Sequence, residues 1–276
     1  MHGFPPRRIV CLTEETLETL YLLGEEAKIV GVSGYAVRPP RVRREKPRVS
    51  AFISADIDKI LALEPDLVLT FSDLQADIAA ELVRRGVAVH AFNQRDIAGI
   101  FAMIETLAAL VGAPEKGTRL AAELRARLNA TALQSKNLPR PRVYFEEWDE
   151  PMISGIGWVS ELISIAGGDD VFPELAGKKS ARERIIAPEA VIAAAPDIII
   201  GSWCGKKFRP ERVAARAGFS GLAAVRDGFV REIKSTIILQ PGPAALTDGL
   251  DALSAIVGEW RATKTSLCDE PIQRIG

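Results

Sequence analysis

The chain has 276 residues and a mass of 29.9 kDa, room for one large domain or two modest ones. Its 47% hydrophobic and 26% charged residues describe a folded protein with a sizeable core and exclude disorder over most of the length. With 35 basic against 36 acidic residues there is no global field to attract nucleic acid, so that class of partner is set aside.

His2 and His90 are the only histidines, which removes multi-histidine metal sites. Cys11, Cys204 and Cys268 lie far apart without CxxC spacing, so no disulfide framework or zinc knuckle is expected, and free thiols point weakly to a reducing compartment. No apolar run reaches the roughly 18 residues needed to cross a bilayer. The best candidate, Ile97 to Ala113, is interrupted by Glu105. Arg7 and Arg8 lead at once into strand-like Ile9 to Leu12, so the chain as given is read as carrying no export signal.

In chain order, the opening strand Ile9 to Leu12 is followed by a helix that Gly24 closes. Asp58 then opens a short helix. Seven residues later come the turn Pro65-Asp66 and the buried strand Leu67 to Leu69, and a glycine-led strand follows from Gly86 to Phe92. The same plan returns in the second half: a strand Val143 to Phe145, a helix closed by Gly167, then Glu189 followed seven residues later by Pro196-Asp197 and the strand Ile198 to Ile200. A second glycine-led strand runs from Gly228 to Lys234. Strands alternating with helices at this spacing predict parallel α/β sheets in two similar lobes, 7–94 and 141–262. Between them, 95–140 shows helical spacing at Ile97, Ile100, Phe101, Ile104 and Leu107, then at Leu120, Leu124 and Leu128, with Pro114 suiting a first helical turn. Residues 263–276 read as a polar tail.

In open α/β sheets ligands gather beyond the carboxyl ends of strands. The post-strand segments here carry Glu14, Glu15, Tyr35, Phe71, Glu146, Glu147, Trp148, Asp149, Trp203, Cys204 and Gln240. Aromatics are only 6% of the chain, yet Trp148, Trp158 and Trp203 fall at or near strand ends, which predicts an aromatic-lined cleft between the lobes, with simple interface packing as the alternative for any one of them. The acidic set Glu14, Glu15, Glu146, Glu147 and Asp149 suits either a solvated rim or a cationic or hydroxyl-rich ligand, and is not read as a metal site. Gly201 to Lys207 is one residue short of a phosphate loop and lacks the following Ser or Thr, so nucleotide binding is rejected. Cys204 beside Lys206 is either a packed free thiol or a nucleophile without an evident base. The basic run Arg38 to Arg48 is an exposed loop or a guide for an anionic ligand.

Arg8 to Leu12, Ile29 to Tyr35 with Pro39 and Pro40, Val49-Ser50, Ile57-Asp58 through Pro65-Asp66-Leu67-Val68, Gly167-Gly168-Asp169, and Val171-Phe172, with Glu189 and Pro196-Asp197 as the second-lobe counterpart, together resemble the cobalamin and iron-siderophore substrate-binding proteins of ABC importers, closest to the cobalamin-binding branch. The resemblance spans nearly the whole chain. It implies the class III architecture: two Rossmann-like α/β lobes joined by a long backbone helix, a ligand held in a shallow cleft, no catalysis and no required cofactor. By the same resemblance Tyr35, Phe52 and Phe71 face the ligand, while Asp58 and Glu189 dock on a dimeric permease. Trp148, Trp158, Trp203 and Gln240 join the ligand set by topology alone. Phe52 and Phe71 stand where the cobalamin protein tends to have tryptophan. The resemblance implies a periplasmic location where a signal has been removed, and the chain taken as it stands reads as cytoplasmic. The leading expectation is a non-catalytic binder of a corrinoid or other metal chelate delivering it to an ABC importer. The alternatives are a cytosolic carrier or sensor, and an enzyme acting through Cys204 or the Glu146–Glu147 pair.

Overall fold

The computed structural model describes residues 3–268, the side chains of 266–268 excepted. His2, the Cys268 side chain and residues 269–276 of the expected tail lie outside the described residues. The chain divides into two compact units. One holds the residues up to Ala126 together with Gln240–Ala244, and the other holds Arg127–Leu239 with the residues from Ala245 onward.

The first unit is built on five strands, β1 (Ile9–Cys11), β2 (Ile29–Ser33), β3 (Arg48–Ser50), β4 (Leu67–Phe71) and β5 (Val89–Phe92), in the order β3-β2-β1-β4-β5. Every pair is parallel. The continuous apolar runs of β1 and β4 are buried at every residue, as a parallel sheet covered on both faces requires. On one face Val10, Leu12 and Val68 pack with Ile60, Ile78 and Leu82 from the helices Ile57–Ala62 and Ala76–Arg84. The helices Glu14–Leu22 and Ile97–Leu110 meet where the Thr19 hydroxyl approaches the Met103 sulfur at 3.9 Å.

The second unit is centred on β6 (Arg142–Asp149). Strands β9 (Ile198–Gly201) and β10 (Val230–Glu232) run parallel to it in the order β10-β9-β6. The other edge of β6 is shared. The two-residue β8 (Asp169–Asp170) pairs parallel at its amino end, and β7 (Met152–Ser154) folds back antiparallel at its carboxyl end. That short hairpin is a departure from the purely parallel lobe expected from the sequence: Glu150 and Pro151 sit in a turn, so the chain returns along β6 instead of crossing over through a helix. Tyr144, Ile199, Trp203, Phe208, Phe219 and Leu222 form the core on one side of this sheet.

The internal repeat has a physical cause that both units share. Each Pro-Asp turn is preceded by a left-handed residue just past the end of a helix, Glu64 at φ 46° after Ile57–Ala62 and Ala195 at φ 43° after Pro188–Ala194. The aspartate carboxylate then accepts backbone N–H groups at the start of the neighbouring strand: Asp66 from Arg7 and Arg8 at 2.7 and 2.9 Å, Asp197 from Arg142 at 2.9 Å. The arginine heading that strand completes the clamp by donating to the orphan carbonyls at the helix end, Arg8 to Leu63 and Glu64, Arg142 to Ala194. The preceding helices close alike. Gly24 at φ 69° and Gly167 at φ 86° supply the left-handed residue, and the next N–H reaches back to Leu20 or Ile163 at 2.9 Å.

The segment without strand signals is two helices, Ile97–Leu110 and Pro114–Ser135. The second has 22 residues, about 33 Å at 1.5 Å per residue. The division between the two units falls within it. No helix among the described residues is long and apolar enough to cross a membrane.

Candidate functional site

In the first unit the carboxyl ends of β2, β3 and β4 lie at one end of a parallel sheet; the segments leaving β2 and β3 carry Tyr35 and Phe52, and Phe71 is the last residue of β4. Tyr35 is 55% exposed, its N–H held by the Ser33 hydroxyl at 3.2 Å. Phe52 is half-buried and Phe71 buried, with the Arg95 guanidinium 5.2 Å from the Phe71 ring centroid. The organiser of this end is Gln75, which is fully buried. Its amide nitrogen donates to the carbonyls of Leu12 and Phe52 at 3.2 and 2.8 Å, and its oxygen accepts from the Phe71 N–H at 3.0 Å. One side chain thereby ties the ends of β1 and β4 to the loop that presents Phe52. Exposed Ile53 and Leu74 flank it and extend the apolar surface. Sequence reasoning missed Gln75, Ile53 and Leu74; their one signal is position, since each lies in a post-strand loop beside a residue already singled out.

The acids at this end are not a solvated rim. Glu14 and Glu15 open the helix Glu14–Leu22, where its dipole favours negative charge, yet both are buried. Burial raises the pKa of Glu14, whose carboxylate lies 3.4 Å from the Ser33 hydroxyl. Burial, with the charge of Glu14 beside it, pushes Glu15 up to about 8. One Glu15 oxygen is buried without a hydrogen-bond partner. Glu18 bonds Arg38 at 2.9 Å and accepts the Ala244 N–H at 3.1 Å. That second bond belongs to the 240–244 segment, which Gln94 also holds through the Pro241 carbonyl at 2.9 Å. Gly242 is required there, because a Cβ would stand 2.5 Å from the Glu15 Cβ. Gln240 begins this segment and is half-buried.

In the second unit every acid at the end of β6 has a cation. Glu146, wholly buried, receives both guanidinium nitrogens of Arg216, the Trp203 indole N–H at 3.1 Å and the Tyr144 hydroxyl at 3.0 Å. Burial, reinforced by the charge of Glu146, holds the Tyr144 pKa well above the phenolic range. Glu147 pairs with the buried Arg184, which also donates to the Ser154 carbonyl. Asp149 takes the Lys206 ammonium on both oxygens at 2.8 and 2.6 Å. No group of three or more His, Cys, Asp and Glu side chains among the described residues is placed to hold a metal ion.

The tryptophans part company. Trp158 and Trp203 are 3% and 4% exposed, Trp158 with its indole N–H on the Ile238 carbonyl at 2.8 Å and Trp203 edge-on to Phe208 in the core. Trp148 alone of the three is half-exposed. It stands across from Ile153, whose bridge partner Ile185 is exposed, so a second apolar strip lies at this strand end. Cys204 is exposed in the loop after β9, where the neighbouring Lys206 is committed to Asp149. Asp58 and Glu189 are both exposed, each in the first turn of its helix, with Arg85 3.3 Å from Asp58.

The comparisons with known proteins agree with this architecture. The family profile described as periplasmic binding protein matches residues 9–237. A vitamin B12-binding protein of Vibrio campbellii is 27% identical over 201 residues, which is 72% of this chain and 71% of that protein. Among solved structures, the periplasmic vitamin B12 binding protein BtuF of Vibrio cholerae superposes with a TM-score of 0.74 at 25% identity, over 94% of this chain and 99% of that one. The periplasmic heme-binding protein RhuT from Roseiflexus sp. RS-1 has the same fold, with a TM-score of 0.77 at 24% identity over 91% and 99% of the two chains. Proteins of this kind are named for binding and not for catalysis, and on a match that takes in both sheets this chain belongs to the periplasmic binding protein family.

Proposed function

We propose that the protein is the ligand-binding component of an ABC importer and that it takes up a corrinoid or a related metal tetrapyrrole, cobalamin first among them. The observation that carries this reading is the arrangement of apolar surface at the strand ends. Tyr35, Ile53 and Leu74 are exposed and Phe52 partly exposed in the first unit, Ile185 is exposed and Trp148 partly exposed in the second, while Glu146, Glu147 and Asp149 around Trp148 are neutralised by their own cations. A large flat ligand with a conjugated ring matches such surfaces through contact area and stacking. The names of the relatives, vitamin B12-binding and heme-binding, support the same chemical class.

Delivery to a dimeric permease, from the periplasmic side, is part of the proposal. Asp58 and Glu189 are the docking carboxylates, supported by their exposure and their equivalent places in the repeat. Titration with cobalamin, dicyanocobinamide and hemin, followed by tryptophan emission and calorimetry, tests the ligand. All four tryptophans lie in 127–239 or from 245 onward, so quenching reports on the second unit and heat on the whole protein. Neither quenching nor heat from any of the three at high micromolar concentration would remove the tetrapyrrole class.

A further inference from the structure

An ammonium group flanked by two indoles and held by a carboxylate is the chemistry of an aromatic cage, the arrangement that elsewhere captures a ligand's cation. In the second unit the cation comes from the chain itself. The Lys206 ammonium lies 5.4 Å from the Trp148 ring centroid and 5.3 Å from that of Trp203, with Asp149 bonded through both oxygens. Asp149 is buried, and the Lys206 ammonium is the cation bonded to it. Trp203 is anchored independently by its bond to Glu146 and its packing on Phe208. Trp148 is only partly buried, packed against the edge of the Tyr144–Trp203–Phe208 core; besides that contact and its indole N–H on the Glu150 carbonyl at 3.0 Å, the Lys206 ammonium is set against its ring.

We propose that Lys206 is the positioning residue of Trp148: it fills the cage from within and holds the half-exposed indole at the strand end in the orientation a flat ligand meets. The assignment rests on the binding role proposed above for that face. It carries a consequence for specificity. With the cage already occupied, cationic ligand groups have no place there, and an indole polarised toward an ammonium favours an electron-rich ring over a cationic one.

Acrylamide quenching of the ligand-free protein isolates the residue in question, because Trp158, Trp203 and Trp260 are 3%, 4% and 8% exposed and the accessible emission comes from Trp148. Lys206→Ala is expected to steepen the quenching, and n-propylammonium chloride to reverse the change by refilling the cage. Because that variant leaves Asp149 buried without its cation and is at risk of poor folding, Lys206→Met combined with Asp149→Asn removes both charges; it should be quenched as steeply and be indifferent to propylammonium. Lys206→Arg keeps the cation and should retain the wild-type slope. Affinity for hemin or dicyanocobinamide should fall about tenfold in the double variant and be preserved by Lys206→Arg. A quenching slope in the double variant equal to that of wild type would overturn the positioning role, as would unaltered affinity in the face of a steeper slope. Wild-type protein that binds neither probe while the slopes change as expected would overturn the tetrapyrrole reading and leave the positioning of Trp148 standing.

Discussion

Glu15→Gln is the most informative single perturbation of the first unit. The carboxyl is 2% exposed, one oxygen has no hydrogen-bond partner, and its pKa is pushed from 4.5 up to about 8 by burial and by Glu14. Below pH 4.5 the folded and unfolded chains both keep the proton, and the burial of a neutral acid is fully tolerated. Between pH 4.5 and 8 the unfolded chain releases the proton while the folded one retains it, so stability falls as pH rises, by about 1.4 kcal/mol per pH unit. Past pH 8 both states are ionised and the whole difference, roughly 5 kcal/mol for a shift of this size, has been lost. Glutamine has the shape of the protonated acid and does not titrate. The variant should match wild type near pH 5 and exceed it by several kcal/mol near pH 9. Denaturation followed by circular dichroism across that range gives the global difference. Hydrogen exchange in the helix Glu14–Leu22 gives the local one, which tryptophan emission cannot supply, since that unit holds no tryptophan. Parallel pH profiles for the two proteins would show that Glu15 is ionised in the folded state and would refute the reasoning.

Tyr35→Ala should weaken ligand affinity about tenfold with little change in melting temperature, because a side chain this exposed contributes contact area more than core packing; a large fall in melting temperature with unaltered affinity would assign it to the core. Arg216→Met strands the wholly buried Glu146 carboxylate and should destabilise the second unit by about 3–5 kcal/mol in a denaturant titration read by tryptophan emission. Charge reversal at both Asp58 and Glu189 to Lys should leave folding and ligand affinity intact while permease-dependent uptake falls, since exposed charges contribute little to stability; uptake indifferent to the reversal would retire the docking role.

What the sequence determined by itself was everything whose cause is local. The apolar runs in β1, β4 and β9, bounded by turn residues, read as strands buried on both faces, the spacing from Ile97 to Leu128 as helices, and Gly24 and Gly167 mark helix ends because a left-handed residue is needed there. The Pro-Asp repeat was legible because helix end, turn and strand follow one another directly in the chain; the arginine that completes each clamp, 58 residues from Asp66 and 55 from Asp197, was not. The fate of the polar side chains was not legible, because it depends on partners brought together by sheet formation. Glu147, Asp149 and Glu146 find their cations 37, 57 and 70 residues away. Only the tertiary structure decides that these acids are neutralised while Glu14 and Glu15 are buried without an ion pair among the described residues, and that Trp148 stays partly open where Trp158 and Trp203 are covered. It also decides that residues 240–244 pack with the first unit although the chain on both sides of them belongs to the second. Periodicity records which face of an element is apolar. Which distant charge or backbone that face meets is set by the order of strands in the sheet, and no local pattern encodes it.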